Sequence, residues 1–382
     1  MNAFSLPLHW LLPGTLLFSV GMIALLARFA RTLGWEDHPG TRKHHRHPVP
    51  LVGGVVMSAG FGLSVLLLPE KPHYWQLLLT SMTVVTLVGL YDDLHSSRPV
   101  TRFMYQAGAV ALMALGSDIV LGNLGDLFGF GPVVLGWWAV LFTLFGVVGV
   151  INAFNMIDGL DGLAGGTALV VAGWLLVLCL STPSSHAGDL GALLALTTVI
   201  IAFLAFNLRH PGRTHASVFM GDAGSTMLGF VLSWFSVHLS TGEAAVMAPI
   251  TAVWLLALPL MDTVAVMVRR IMAGRNPFAA DRQHLHHLLL ARGLTDGRVT
   301  ALILALTFVT GGLGVLANGL EVPHYVQFYS FGAAFLVYFR LTTAILRRRP
   351  AAPPGADLER RRPPPDADDA DQAMRVSGCD PF

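Results

Sequence analysis

Between Leu190 and Asn207 the chain reads LGALLALTTVIIAFLAFN, eighteen residues without a charge, and runs like it recur along its length. About 17–25 predominantly apolar residues suffice to cross a bilayer as a helix. A soluble protein of 382 residues would alternate apolar and polar faces far more often; here 54% of residues are hydrophobic and only 12% charged. The chain is therefore read as an all-α polytopic membrane protein. Eleven spans are expected, at 10–30, 51–69, 76–91, 103–119, 135–151, 164–182, 190–207, 222–240, 246–268, 299–318 and 327–346. The opening MNAFSLPLHW has no basic stretch ahead of the first run, which is read as a retained span rather than a cleaved signal.

An odd number of spans puts the termini on opposite sides, and Lys and Arg concentrate in cytoplasmic loops. One set of loops holds a single basic residue, Lys71, whereas the other set and the tail hold twenty-one. The N-terminus is accordingly expected outside and the C-terminus in the cytoplasm. Residues 1–346 read as one integral membrane domain. Residues 347–382, rich in Pro, Asp, Ala and Arg, lack the apolar surface needed to fold and are expected to form a disordered cytoplasmic tail. The net charge of +1 suggests no nucleic-acid partner. Two cysteines, Cys179 and Cys379, exclude a disulfide scaffold or a cysteine-rich zinc site.

The cytoplasmic loops carry more than connections require: DHPGTRKHHRHPVPLVGG, YDDLHSSRPVTR, NAFNMIDGLDGLAGG, HPGRTHASVFMGDAGST and RNPFAADRQHLHH. Ten of the fifteen histidines and the densest acid pairs fall on this side, so one composite site at the inner surface is expected. Asp92 and Asp93 could be a solvated helix end, or adjacent carboxylates that bind a divalent cation or supply a base. Asp158 and Asp161 would share a face if their segment were helical. The surrounding glycines favour turns instead, and a turn entering a helix can offer N–H groups to an anion. Asp222 could cap the eighth span, or serve as a hard oxygen ligand for Mg²⁺, which takes few carboxylates plus substrate phosphates. His284 and His287 would lie on one helical face, with His286 elsewhere; beside Arg282 they suit phosphate oxygens better than zinc. Acids for Mg²⁺, cationic donors and a membrane location together point to phosphoryl transfer onto a lipid. Asp262, inside the ninth span, is either functional or paired with Arg269 two turns on.

Taken in order, DxPxxRKxHxxxxPLVGG, NAFNMxDGxDGLxGG, VFMGDAGST, PLMD and PFxxDRQHxHH resemble the polyprenyl-phosphate N-acetylhexosamine-1-phosphate transferases over roughly residues 11–346. The branch most similar uses UDP-GlcNAc and undecaprenyl phosphate. The resemblance implies Mg²⁺-dependent transfer of GlcNAc-1-phosphate to undecaprenyl phosphate with release of UMP, in the bacterial inner membrane, as the first step of a cell-envelope glycan such as O-antigen. Mn²⁺ is a possible substitute, and a homodimer is one option for the assembly. Asp92 and Asp93 match the family's acid pair, with Asp92 placed to activate the lipid phosphate. Asp222, joined by Asn155, matches the metal ligands. Asp161 and Phe219 fall where relatives recognise and stack on uracil, and Asp158 matches a carboxylate required for activity. His284, His286, His287 and Arg282 match a pyrophosphate-contacting loop; Lys43 and Arg102 match basic positions near the phosphates. Some relatives extend the acid pair to DDxxD, where this chain has Ser96. Other UDP-N-acetylhexosamines, a UDP-6-deoxyhexosamine or UDP-MurNAc-pentapeptide remain alternative donors. An inactive scaffold and a cation-coupled transporter are rivals from other classes; the latter predicts mid-membrane acids and an inverted repeat.

Overall fold

A computed structural model describes residues 6–37, 48–95, 98–181, 186–209, 212–213, 215–242, 245–277 and 283–347. The described chain is helical: α1 Leu8–Leu33, α2 Gly53–Leu67, α3 Trp75–His95, α4 Pro99–Ser117, α5 Ala139–Ile157, α6 Leu163–Leu180 and α7 Ala187–Asn207. After these come α8 Gly221–His238, α9 Pro249–Leu255, α10 Ala257–Met272, α11 Leu285–Leu290, α12 Asp296–Gly319 and α13 His324–Arg347. Among the described residues, the departures from an all-α reading are a short antiparallel ribbon, β1 Glu36–Asp37 on β2 Val49–Pro50, and one antiparallel bridge between Asn123 and Val134. Residues 1–342 form one compact unit and 343–382 a second, of which the end of α13 is described.

Among the described residues, seven helices are long and apolar enough to span a bilayer: α1, α3, α5 with the 3₁₀ turn before it, α6, α7, α12 and α13. The protein is a polytopic helical membrane protein. The expected span at 246–268 is instead two helices, α9 and α10, meeting at 80°. Its cause is legible in LALPLMD: Pro259 has no N–H for the carbonyl of Leu255, and its ring clashes with a continuing turn. Proline is tolerated only in the first turn of α10. At 15 residues, α2 is short for a span.

α8 departs from a span-like composition for another reason. Every residue from Ala223 to His238 is buried, and its neighbours are other helices, so its surface need not match lipid. Glycines bring those neighbours close. A side chain at Gly54 would strike the Gly224 backbone; a Cβ at Gly89 would lie 2.6 Å from Ala223 Cα, and one at Gly229 2.7 Å from Ile151 Cα. Small residues at such crossings let backbones approach in membranes. The Gly53 and Gly54 N–H groups also donate to Phe219 O (3.0 Å) and Met220 O (3.1 Å), seating α2 on the segment that enters α8. Gly54→Val should therefore force α2 off α8 and destabilise the protein by about 1–3 kcal/mol or more, seen as a lower Tm in detergent. An unchanged Tm would mean that the crossing is slack.

Candidate active site

α8 spans roughly 27 Å from end to end, and its N-terminal end meets the C-terminal ends of α3, α5 and α7 around a cleft of about 640 Å³. That volume suits a small-molecule site. Seven carboxylates line it (Asp37, Asp92, Asp93, Asp158, Asp161, Asp222 and Asp296) against two guanidinium groups, Arg102 and Arg209. So large an excess of negative charge in a confined space favours cations, and anionic ligands only in their company.

Asp222 sits at the second position of α8. Asn155, from the last turn of α5, donates through Nδ2 to Asp222 Oδ1 (2.7 Å) and to Ser225 Oγ (3.1 Å). Arg102, in the first turn of α4, donates through Nη1 to Asp92 Oδ2 (2.8 Å) and Asp222 Oδ2 (3.2 Å), so one guanidinium bridges the two acids. Asp92 is only 8% exposed. Asp222 does not cap α8. The cap comes from α3: Asp93 accepts the N–H groups of Asp222 (2.7 Å) and Ala223 (3.2 Å) through its two oxygens. A carboxylate at a helix N-terminus also meets the positive end of the dipole. Gly221, with φ +67°, has no Cβ to collide with that carboxylate.

Residues 158–162 form a turn rather than a helix, so Asp158 and Asp161 reach the cleft from a loop, not from one helical face. Asp158 is exposed to water in the cleft, yet the protein atoms crowding its carboxyl group, followed by the negative fields of Asp222, Asp93 and Asp161, push that group up to about 8. Asp161 accepts from Arg209 Nε (2.6 Å) and the Ala216 N–H (3.0 Å), while Arg209 Nη1 pairs with Asp296 (2.6 Å) at the start of α12. Asn207 ties this turn to the α8 approach, accepting from the Gly162 N–H (2.7 Å) and donating to Val218 O (2.9 Å). Gly162, at φ +77°, makes the reversal possible.

The cleft thus unites Asp92, Asp93, Arg102, Asn155, Asp158, Asp161, Phe219, Asp222 and His287. It does not include His284 or His286. His284 precedes α11 and turns to Asp262, so the expected shared face with His287 is not formed. His286 is buried against Gly159. Asp262 pairs with His284, not Arg269, which binds Thr342 and the Gln283 carbonyl. Lys43, Arg282 and Ser96 lie outside the described residues. Sequence reading missed Asp37, Asn207, Arg209, His215 and Asp296 as cleft residues. Asp37, Asn207, Arg209 and His215 belong to, or adjoin, polar segments already suspected, whereas Asp296 lies nine residues beyond His287; the partners of Asn207, Arg209 and Asp296 are distant in sequence.

Two other cavities lie at the far end of α8. One, of about 1130 Å³, is lined by the connections around Asn123, Thr241 and His324. The other borders a buried cluster in which Asp189 accepts from His186 and His238, each at 3.3 Å. Neither cavity gathers a carboxylate cluster like that beside Asp222.

Among the described residues no three His, Cys, Asp or Glu side chains converge into a protein-only metal cage. Among the oxygen donors that line the cleft, the Asp222 carboxylate with the adjoining Asn155 side chain fits a cation such as Mg²⁺, which takes one or two protein ligands and keeps waters and substrate phosphates as the rest.

The acid-lined cleft lies among helix ends of a multi-helix membrane unit, and sequence comparison identifies the family. Residues 75–240, which include α3 to α8, match the glycosyl transferase family 4 model. The chain is 38% identical over 328 residues to undecaprenyl-phosphate alpha-N-acetylglucosaminyl 1-phosphate transferase of Salmonella typhi, covering 84% of this chain and 87% of the relative. Proteins of the same name from Yersinia pestis and Haemophilus influenzae are 36% and 34% identical, covering 84% and 83% of this chain and 88% of each relative. The chain belongs to glycosyl transferase family 4.

Proposed function

We propose that the protein transfers GlcNAc-1-phosphate from UDP-GlcNAc to undecaprenyl phosphate. An oxygen of the lipid phosphate bonds to the sugar-linked phosphorus. The bond from that phosphorus to the bridging oxygen breaks, and UMP leaves with the electron pair. The observation that carries this reading is the convergence of Asp92, Asp93, Asn155, Asp158 and Asp222 in one strongly negative cleft, in a chain whose relatives bear that activity in their name.

Asp222 and Asn155 would hold Mg²⁺ (or Mn²⁺), which supplies charge neutralisation for the phosphates. Arg102 and His287 both line the cleft and would donate to phosphate oxygens. Asp92, held by Arg102, is assigned to orient or deprotonate the lipid phosphate. Phe219 offers a ring to stack on the uracil, and Asp161, held by Arg209 and the Ala216 N–H, accepts from it. The distribution of Lys and Arg supports a cytoplasmic cleft, with eleven crossings if α2, α4, α8 and the α9–α10 pair are counted. A cysteine placed at His215 should react with impermeant reagents only from the cytoplasmic side; labelling from outside would reverse the orientation. We place the enzyme in the bacterial inner membrane at the start of a glycan such as O-antigen.

The donor is tested by offering purified protein and undecaprenyl phosphate three labelled donors: UDP-GlcNAc, UDP-GalNAc and UDP-MurNAc-pentapeptide. Preferential transfer from UDP-GlcNAc supports the assignment. Preference for either other donor overturns the sugar but not the chemistry.

The raised pKa of Asp158 gives a separate check. In unfolded chain this carboxyl titrates near 4, whereas in the folded metal-free protein it titrates near 8. The folded state therefore binds the extra proton between these values, and metal-free stability falls as pH rises from about 4 to 8. Mg²⁺ compensates the ionised cluster, so its stabilising effect on Tm should be larger at pH 8 than at pH 6. An equal shift at both pH values would contradict the coupling.

A further inference from the structure

Asp262 lies in α10 and is 4% exposed, yet it collects three donors from two other segments. Its Oδ2 is 2.8 Å from His284 Nδ1, and its Oδ1 accepts the Leu285 N–H (2.9 Å) and the Tyr338 hydroxyl (2.7 Å). A single buried carboxylate thus joins α10, the start of α11 and α13. Ionisable groups are costly within membrane helices, and those present have a specific partner or task.

α11 has only six residues, too few to hold a direction without tertiary support. It carries His286, packed against Gly159, and His287, which lines the cleft. α10 grips the chain ahead of it twice more. Arg270 Nε donates to Asn276 O (2.6 Å), and Arg269 Nη2 donates to Gln283 O (3.1 Å) while its Nη1 reaches Thr342 Oγ1 (2.9 Å). Both arginines are largely buried. The backbone ahead of α11 is thereby held at Asn276 and at Gln283, and Asp262 takes the next two residues, His284 and Leu285, where the helix begins.

We propose that Asp262 is a positioning residue for the reaction: through His284 and the Leu285 N–H it sets the direction of α11 and so keeps His287 in the cleft wall. Asp262 does not line the cleft. Its effect runs through α11, and the inference rests on the reading of His287 as a phosphate-contacting group.

A double-mutant cycle on the full-length protein in detergent tests this, with kcat, KM for UDP-GlcNAc and Tm measured for each variant. Asp262→Asn preserves size and one acceptor for Leu285 but presents an N–H where His284 needs an acceptor. Alone it should lower kcat about tenfold or more. In a His287→Ala background it should change kcat less than about twofold, because the group it positions is gone. Tyr338→Phe, which leaves the carboxylate in place, should lower kcat a few-fold in wild type only, and carries the test should Asp262→Asn fold poorly. Equal factors in both backgrounds, or no effect of either variant on wild type, would overturn the positioning role. Wild-type turnover by His287→Ala would instead overturn the reading of His287 and the inference with it.

Discussion

Asp222→Ala should lower turnover by about a hundredfold or more while leaving the protein folded. The carboxylate accepts from Asn155 and Arg102 but does not cap α8. Removing it takes one negative charge from a crowded cluster, so Tm without metal should hold or rise. Stabilisation by Mg²⁺ should largely disappear. Loss of activity together with loss of the Mg²⁺-dependent Tm shift is the pattern expected of a metal ligand. Loss of activity with an unchanged Mg²⁺ shift would move the cation elsewhere in the cleft.

Asp93→Ala should behave differently, although Asp93 is only one residue from Asp92. Its two oxygens take the first N–H groups of α8, and losing such a cap costs about 1–2 kcal/mol. For a chain of this size that is a Tm lower by a few degrees. The same cap orients the turn that carries Asp222, so activity should fall about a hundredfold as well. Asp93→Asn retains one acceptor oxygen and should recover part of the stability. If Asp93→Ala lost activity with no change in Tm, direct participation in chemistry would replace the capping role.

Much of this site is readable from residues alone, because the acids cluster in short motifs whose polarity stands out against apolar flanks. NAFNMIDGLDG and VFMGDAG announce themselves in that way, and the side-chain types they hold are the ones found in the cleft. What sequence conceals is pairing across distance. Asp93 caps a helix that begins more than a hundred residues later, and Asp262 finds His284 rather than the near neighbour Arg269. Local spacing favours partners three or four residues apart on one helix, whereas these contacts depend on how separate helices cross. The same limit explains the His segment. Helical spacing joined His284 to His287, but the helix starts only at Leu285, so His284 points elsewhere. α8 shows the converse: its serines, threonine and glycines weaken its hydropathy because the protein, not lipid, surrounds it. The break after Leu255 had a visible sign in Pro259, outweighed by the apolar composition on either side.

The most direct test of the central claim follows the phosphorus atom. Purified protein would receive undecaprenyl phosphate, Mg²⁺ and UDP-GlcNAc labelled with ³²P at the sugar-linked phosphate, with Asp222→Ala as the control. Transfer of a phosphosugar carries the label into the lipid phase with one UMP released per lipid product, and the control transfers none. Label that stays in water as UDP while the sugar moves to the lipid would identify simple glycosyl transfer, and no movement of either by folded protein would contradict the account.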